Sequence, residues 1–131
     1  MSSSSITKGK ILAVEDEPGI RQVCHRALTS QGYQVDFAGN GVAAESMLMK
    51  QDYDLLLVDI KTPVMDGKQL YYYIKDRYPE LVDRVIFTTG DVMSNDTQDF
   101  LKQTGRPFLL KPFSPDELNA LVRETLGRWH Y

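Results

Sequence analysis

Short apolar runs alternate along the chain with stretches in which apolar residues recur every three or four positions. "KILAV" (10–14), "YQVDFA" (33–38), "DLLLV" (54–58), "RVIFTT" (84–89) and "PFLL" (107–110) are brief and mostly rich in β-branched or aromatic residues, and they predict strands. The third and fourth are almost continuously apolar, as in a parallel sheet covered on both faces. After Pro18, suited to a first helical position, Ile20, Val23, Cys24, Ala27 and Leu28 fall on one helical face. Leu118, Leu121, Val122, Thr125 and Leu126 form another stripe, opened by Ser114 as N-cap and Pro115 behind it. Weaker helical patterns cover 41–51, 67–77 and 95–103. Asn95 and Gln98 stand at capping-box spacing at the start of the last, and Gly105 ends it. Five strand–helix units in succession predict an α/β fold, a parallel sheet with helices on both faces.

At 131 residues the chain has room for one domain, and its 42% hydrophobic and 25% charged residues are those of an ordinary globular protein. Fifteen Lys and Arg against eighteen Asp and Glu give a net charge of −3, which argues against a nucleic-acid partner. "YYYIK" (71–75) sets aromatics beside a lysine, but three consecutive helical positions point three ways and make no single stacking platform. The single cysteine, Cys24, lies inside an apolar stripe and reads as core filler; it can form no internal disulfide. No apolar run approaches the roughly 20 residues of a membrane span, and "MSSSSITKGK" has no signal-peptide core. The expectations are a cytoplasmic protein without a membrane partner, a flexible leader over 1–8, one domain over 9–127, and a tail over 128–131 in which His130 is a surface residue.

In such sheets ligands bind beyond the carboxyl ends of the strands, where strand order reverses. Four segments deliver chemistry to that edge. "AVEDE" ends the first strand with Glu15 and Asp16, and "LVDIK" ends the third with Asp59. "FTTGD" ends the fourth with Thr89, and "LLKPF" ends the fifth with Lys111. Three clustered carboxylates repel one another unless a cation sits among them, and hard oxygen ligands in an incomplete cage suit Mg²⁺. A hydroxyl and an ammonium facing that metal complete a set of groups around a phosphoryl oxygen. A carboxylate can itself attack phosphorus and form an aspartyl-phosphate.

The segments "VEDE", "DIKTPVMDG", "TTG" and "KPF", with Thr89 and Lys111 lying 30 and 52 residues beyond Asp59, resemble the receiver domain of bacterial two-component response regulators. The resemblance runs from Lys8 to about Gly127. It implies a flavodoxin-like (βα)5 doubly wound parallel sheet with strand order 2-1-3-4-5. It also implies that Asp59 is the phosphoacceptor, Asp16 a direct Mg²⁺ ligand, Glu15 a ligand directly or through water, and the Lys61 carbonyl a further one. Thr89 and Lys111 would bind phosphoryl oxygens, and Phe108 holds the switch-aromatic position. Pro63 and the Asp66-Gly67 turn would shape the loop after the acceptor. Departures are Glu15 where Asp is commoner, Thr62 in place of an apolar residue, and Phe108 without a tyrosine's hydroxyl. The implied partners are a histidine kinase or histidine phosphotransfer domain and an unknown downstream protein.

"TGRPFLLKPF" is most similar to receivers of hybrid sensor kinases, which keeps open a module that relays phosphate to a phosphotransfer protein. A haloacid-dehalogenase-like phosphatase would need an Asp two residues after its nucleophile, and Lys61 stands there. An interaction module without the chemistry predicts an eroded site, and none of these positions is eroded. The expected activity is therefore signalling: a phosphoacceptor that catalyses its own phosphorylation and dephosphorylation and does not act as an independent enzyme. Lys61 and Asp91, on adjacent loops, are expected to meet above the acceptor and modulate the phosphoryl lifetime.

Overall fold

The computed structural model describes residues 8–127; the remaining leader and tail positions, His130 included, lie outside the described residues. Lys8 is already tied to the fold, its N–H donating to the Gly32 carbonyl at 3.1 Å. The elements run β1 (Lys10–Val14), α1 (Pro18–Ser30), β2 (Gln34–Ala38), α2 (Gly41–Lys50), β3 (Leu55–Asp59), α3 (Gly67–Arg77), β4 (Val85–Thr89), α4 (Asn95–Thr104), β5 (Phe108–Leu110) and α5 (Pro115–Gly127). A 3-10 turn over Pro79–Arg84, unexpected from the sequence, leads into β4.

All five strands are parallel, in the order β2-β1-β3-β4-β5. The chain thus winds from β1 to one edge, returns past it to β3, and proceeds to the other edge, as the order 2-1-3-4-5 requires. β3 is central and buried on both faces, which explains its unbroken apolar run. Alternate strand residues feed two cores. Leu12, Val14, Leu56, Val58, Val85 and Phe87 pack against α2, α3 and α4. Ile11, Ala13, Leu55, Leu57 and Ile86 pack against α1 and α5, with Cys24 among them, 1% exposed. The three tyrosines diverge as expected: Tyr71 is buried, Tyr73 half-buried and Tyr72 exposed. Tyr71 joins Phe87 and Phe100 in an aromatic cluster with ring centroids 5.2–5.7 Å apart, knitting α3 and α4 to β4.

Two helix ends follow the sequence reading and one does not. Ser114 and Glu117 form a reciprocal capping box on α5, and Gly105 ends α4 in the left-handed conformation at φ 66°. The cap of α4, however, is Ser94 and not Asn95: the Ser94 hydroxyl accepts the Thr97 N–H, and the Gln98 side chain donates to the Val92 carbonyl. Asp91 decides this, because its carboxylate accepts the Met93 and Ser94 amides and turns the chain into the helix one residue earlier.

Candidate functional site

The carboxyl ends of β1, β3, β4 and β5 open onto one edge. β3 delivers Asp59, 4% exposed, and β1 runs into Glu15, 3% exposed. Lys111, just past β5, reaches between them: its ammonium lies 3.0 Å from Asp59 Oδ2 and 2.9 Å from Glu15 Oε1. It is also 3.3 Å from Glu17 Oε1, on an exposed side chain. Carboxylate oxygens of Glu15, Glu17 and Asp59 all lie within 4.8 Å of one another. The compact acidic group therefore includes Glu17, which the sequence reading passed over. Asp16 is exposed at the rim, close enough for its charge to act on Asp59.

Local structure explains the placement. Arg21 Nε donates to the Glu15 carbonyl at 2.7 Å, and the Glu17 amide donates to Glu15 Oε2 at 3.1 Å, so the loop after β1 folds back over the strand end. The Lys61 amide donates to Asp59 Oδ1 at 3.3 Å. At Gly67 a Cβ would fall 2.5 Å from the Asp59 carbonyl oxygen, so only glycine lets α3 start against the carboxyl end of β3. Between them the Met65 N–H donates to the Pro63 carbonyl at 2.8 Å, a three-residue turn with Val64 at its centre at φ 68°. The Met65 carbonyl accepts both the Thr62 hydroxyl and the Gly41 N–H. Thr62, the departure noted before Pro63, thus staples the loop internally.

Burial pushes the carboxyls of both Asp59 and Glu15 above their ordinary values, although hydrogen bonds to Lys111 pull the other way. Burial by itself would lower Lys111, but its bonds to Glu15 and Asp59 outweigh that and hold it above the ordinary lysine range. One ammonium thus serves two buried carboxylates and an exposed third, leaving residual negative charge on hard oxygen donors. The oxygens of the two buried carboxylates, Asp59 and Glu15, fit a small divalent cation.

Around this group, the Thr89 hydroxyl is turned to its own loop, donating to the Asp91 carbonyl and accepting the Asp91 N–H, both at 3.0 Å. Lys61 Nζ lies 3.5 Å from Asp91 Oδ2, bridging the loops after β3 and β4. The backbone amides of Met93 and Ser94 hold the Asp91 carboxyl below its ordinary value. Phe108, 44% exposed, pairs in register with Phe87 on β4 but lies outside the acidic group.

The response regulator receiver domain model matches residues 11–123. The chain belongs to that family. Among relatives of this receiver domain, response regulator Rre1 of Synechocystis sp. is 36% identical, the alignment covering 90% of this chain and 52% of that protein. The transcriptional regulatory protein PcoR of Escherichia coli is 33% identical over 91% of this chain and 52% of that one. The chain spans about half the length of these curated relatives. Solved structures agree. A CheY-like receiver domain protein from Methanospirillum hungatei JF-1 superposes with a TM-score of 0.82 at 27% identity, covering 91% of this chain and 94% of that one. The receiver domain of sensor histidine kinase PA1611 from Pseudomonas aeruginosa PAO1, solved with a magnesium ion coordinated in its active site cleft, gives 0.80 at 30% identity, covering 91% of this chain and 98% of that one. Receiver domains of two-component systems thus include both response-regulator and histidine-kinase modules among this chain's relatives. Among the described residues no helix is long and apolar enough to cross a membrane.

Proposed function

We propose that this receiver domain accepts a phosphoryl group on Asp59 from the phosphohistidine of a histidine kinase or a histidine phosphotransfer domain. The observation that carries the reading is the Lys111 ammonium held between Asp59 and Glu15 at a strand-end opening. In the transfer, an Asp59 carboxylate oxygen forms a bond to phosphorus as the bond from phosphorus to the donor's imidazole nitrogen breaks, and the histidine leaves with that electron pair. Lys111 and Thr89 are assigned to the phosphoryl oxygens; Thr89 must first release Asp91. Glu15, Asp16, Asp59 and the Lys61 carbonyl are assigned to Mg²⁺. When bound, the metal supplies charge neutralisation at the transferring phosphoryl oxygens.

Phe108 is assigned the role of reporting the change, moving as Thr89 swings towards the phosphoryl group. The Lys61–Asp91 pair is assigned the role of a lid that slows the approach of hydrolytic water. A relay to a phosphotransfer protein, as in a hybrid kinase, uses the same chemistry in reverse. The likeness to the receiver of PA1611 favours keeping it as the second reading.

The test is intact-protein mass spectrometry after incubation with phosphoramidate and Mg²⁺. The expected result is one added phosphoryl group on the wild type, none on Asp59→Asn, and none on the wild type when the metal is chelated. Equal labelling of wild type and Asp59→Asn would refute the assignment.

A further inference from the structure

Glu17 occupies the N-cap position of α1, yet its side chain makes no capping hydrogen bond. Side chains at such positions ordinarily satisfy the orphan amides of the first turn, and acidic ones do so favourably. Here the carboxylate turns away from its own helix and reaches Lys111, 94 residues on. A local rule broken at a strand-end site points to function.

The count of donors says which function. A lysine ammonium has three N–H groups, and Lys111 has three carboxylate neighbours, Glu15, Glu17 and Asp59, at 2.9, 3.3 and 3.0 Å. A phosphoryl oxygen arriving on Asp59 needs one of those donors. Releasing Glu15 would leave a buried carboxylate dependent on the metal alone and out of reach of water, which is the costlier exchange. Glu17 is different. Its side chain is 61% exposed, against 5% for Glu15 and Asp59, so once released it is solvated.

Building on the phosphoacceptor reading, we propose that Glu17 is a positioning residue that holds the third Lys111 donor in the resting site and yields it to the phosphoryl group. Glu17 acts through Lys111. It keeps the ammonium aimed into the opening before phosphate arrives, and it competes with the phosphoryl oxygens once they do. Removing it should therefore tighten the site for a phosphoryl group without loosening the metal.

Beryllofluoride, which sits on an aspartate carboxylate as a phosphoryl mimic, separates these effects. Wild type, Glu17→Gln and Glu17→Asp are titrated with Mg²⁺ alone and then with beryllofluoride at saturating Mg²⁺, followed by amide NMR. Glu17→Asp keeps the charge but is one methylene shorter, and an N-cap Asp turns to its helix amides. Both variants are expected to take the mimic roughly two- to five-fold more tightly, the scale of an exposed ion pair, with Mg²⁺ affinity unchanged. Unaltered or weaker mimic binding in Glu17→Gln overturns the proposal. So does Glu17→Asp behaving as wild type, which would reduce the effect to net charge. A tenfold loss of Mg²⁺ affinity in Glu17→Gln also overturns it, making Glu17 a metal ligand. Wild type that takes neither the mimic nor a phosphoryl label would remove the phosphoacceptor reading itself, and this inference with it.

Discussion

Asp59 is held where a carboxylate is costly to keep ionised, at the end of a fully buried strand and beside a Lys111 that Glu15 shares. Because burial raises its folded pKa, the folded state binds more protons than the unfolded state once pH passes the ordinary value of 3.8. Stability from this group is therefore fully present below that pH and is lost as pH rises through the folded value. Asp59→Asn, which keeps Glu15 as a partner for Lys111, should melt a few °C above wild type at pH 7 in the absence of metal. The gap should close as pH falls towards 4, and thermal melts across that range check it. An unchanged gap at pH 4 would show that the ionised form is not what the fold resists. The strand-end position of Asp59 was legible in the sequence because a charge ending an apolar run is a conspicuous break in pattern. Glu17 was not. In "VEDE" it stands before Pro18 like any helix-capping acid, and only the position of Lys111 shows that its carboxylate faces the other way.

At the scale of elements, the helix that follows β4 starts from the site itself. Asp91 accepts two amides of the loop with its carboxylate and holds the Thr89 hydroxyl with its backbone, and Ser94 then caps α4. Asp91, which holds Thr89, and the Ser94 cap are thus three residues apart on one loop. Ser94→Ala should lower stability by about 0.5–2 kcal/mol, whereas Asn95→Ala, an exposed first-turn change, should stay within about 0.5 kcal/mol. Urea unfolding of the two variants distinguishes the caps; equal losses would return the cap to Asn95. Spacing misleads here because Ser94 and Asn95 are both competent caps, and Gln98 suits Asn95 in a capping box. The hydrogen bonds of Asp91, which settle the choice, are not a pattern in the sequence. The cap of α3 is unambiguous by comparison: Asp66 and Gln69 bond reciprocally at 3.0 Å.

For the whole molecule, the sheet order places Thr89 on β4 between β3, which carries Asp59, and the edge strand that carries Phe108. Phe87, wholly buried, pairs with Phe108 in register and packs on Phe100 of α4, and Phe108 lines one groove with Leu121 and Thr125 of α5. A shift at Thr89 thus has packed neighbours leading to all three elements. With beryllofluoride and Mg²⁺, amide shifts should extend beyond the site into those three elements. Shifts confined to the loops after β1 and β3 would discard the switch. The fold behind this route was legible nearly throughout, since two packed faces demand unbroken apolar strands and striped helices. The 3-10 segment before β4 was not, because six residues are too few to show a period. One packed group has a further bearing on how the protein meets its surroundings. Cys24, on the inner face of α1, is 1% exposed, and burial pushes its thiol up to about 12. At pH 7 roughly one molecule in 100,000 then carries the thiolate, the form that oxidants and disulfides attack. In the native fold the chain's one sulfhydryl is thereby held as the thiol, the form that oxidants attack slowly.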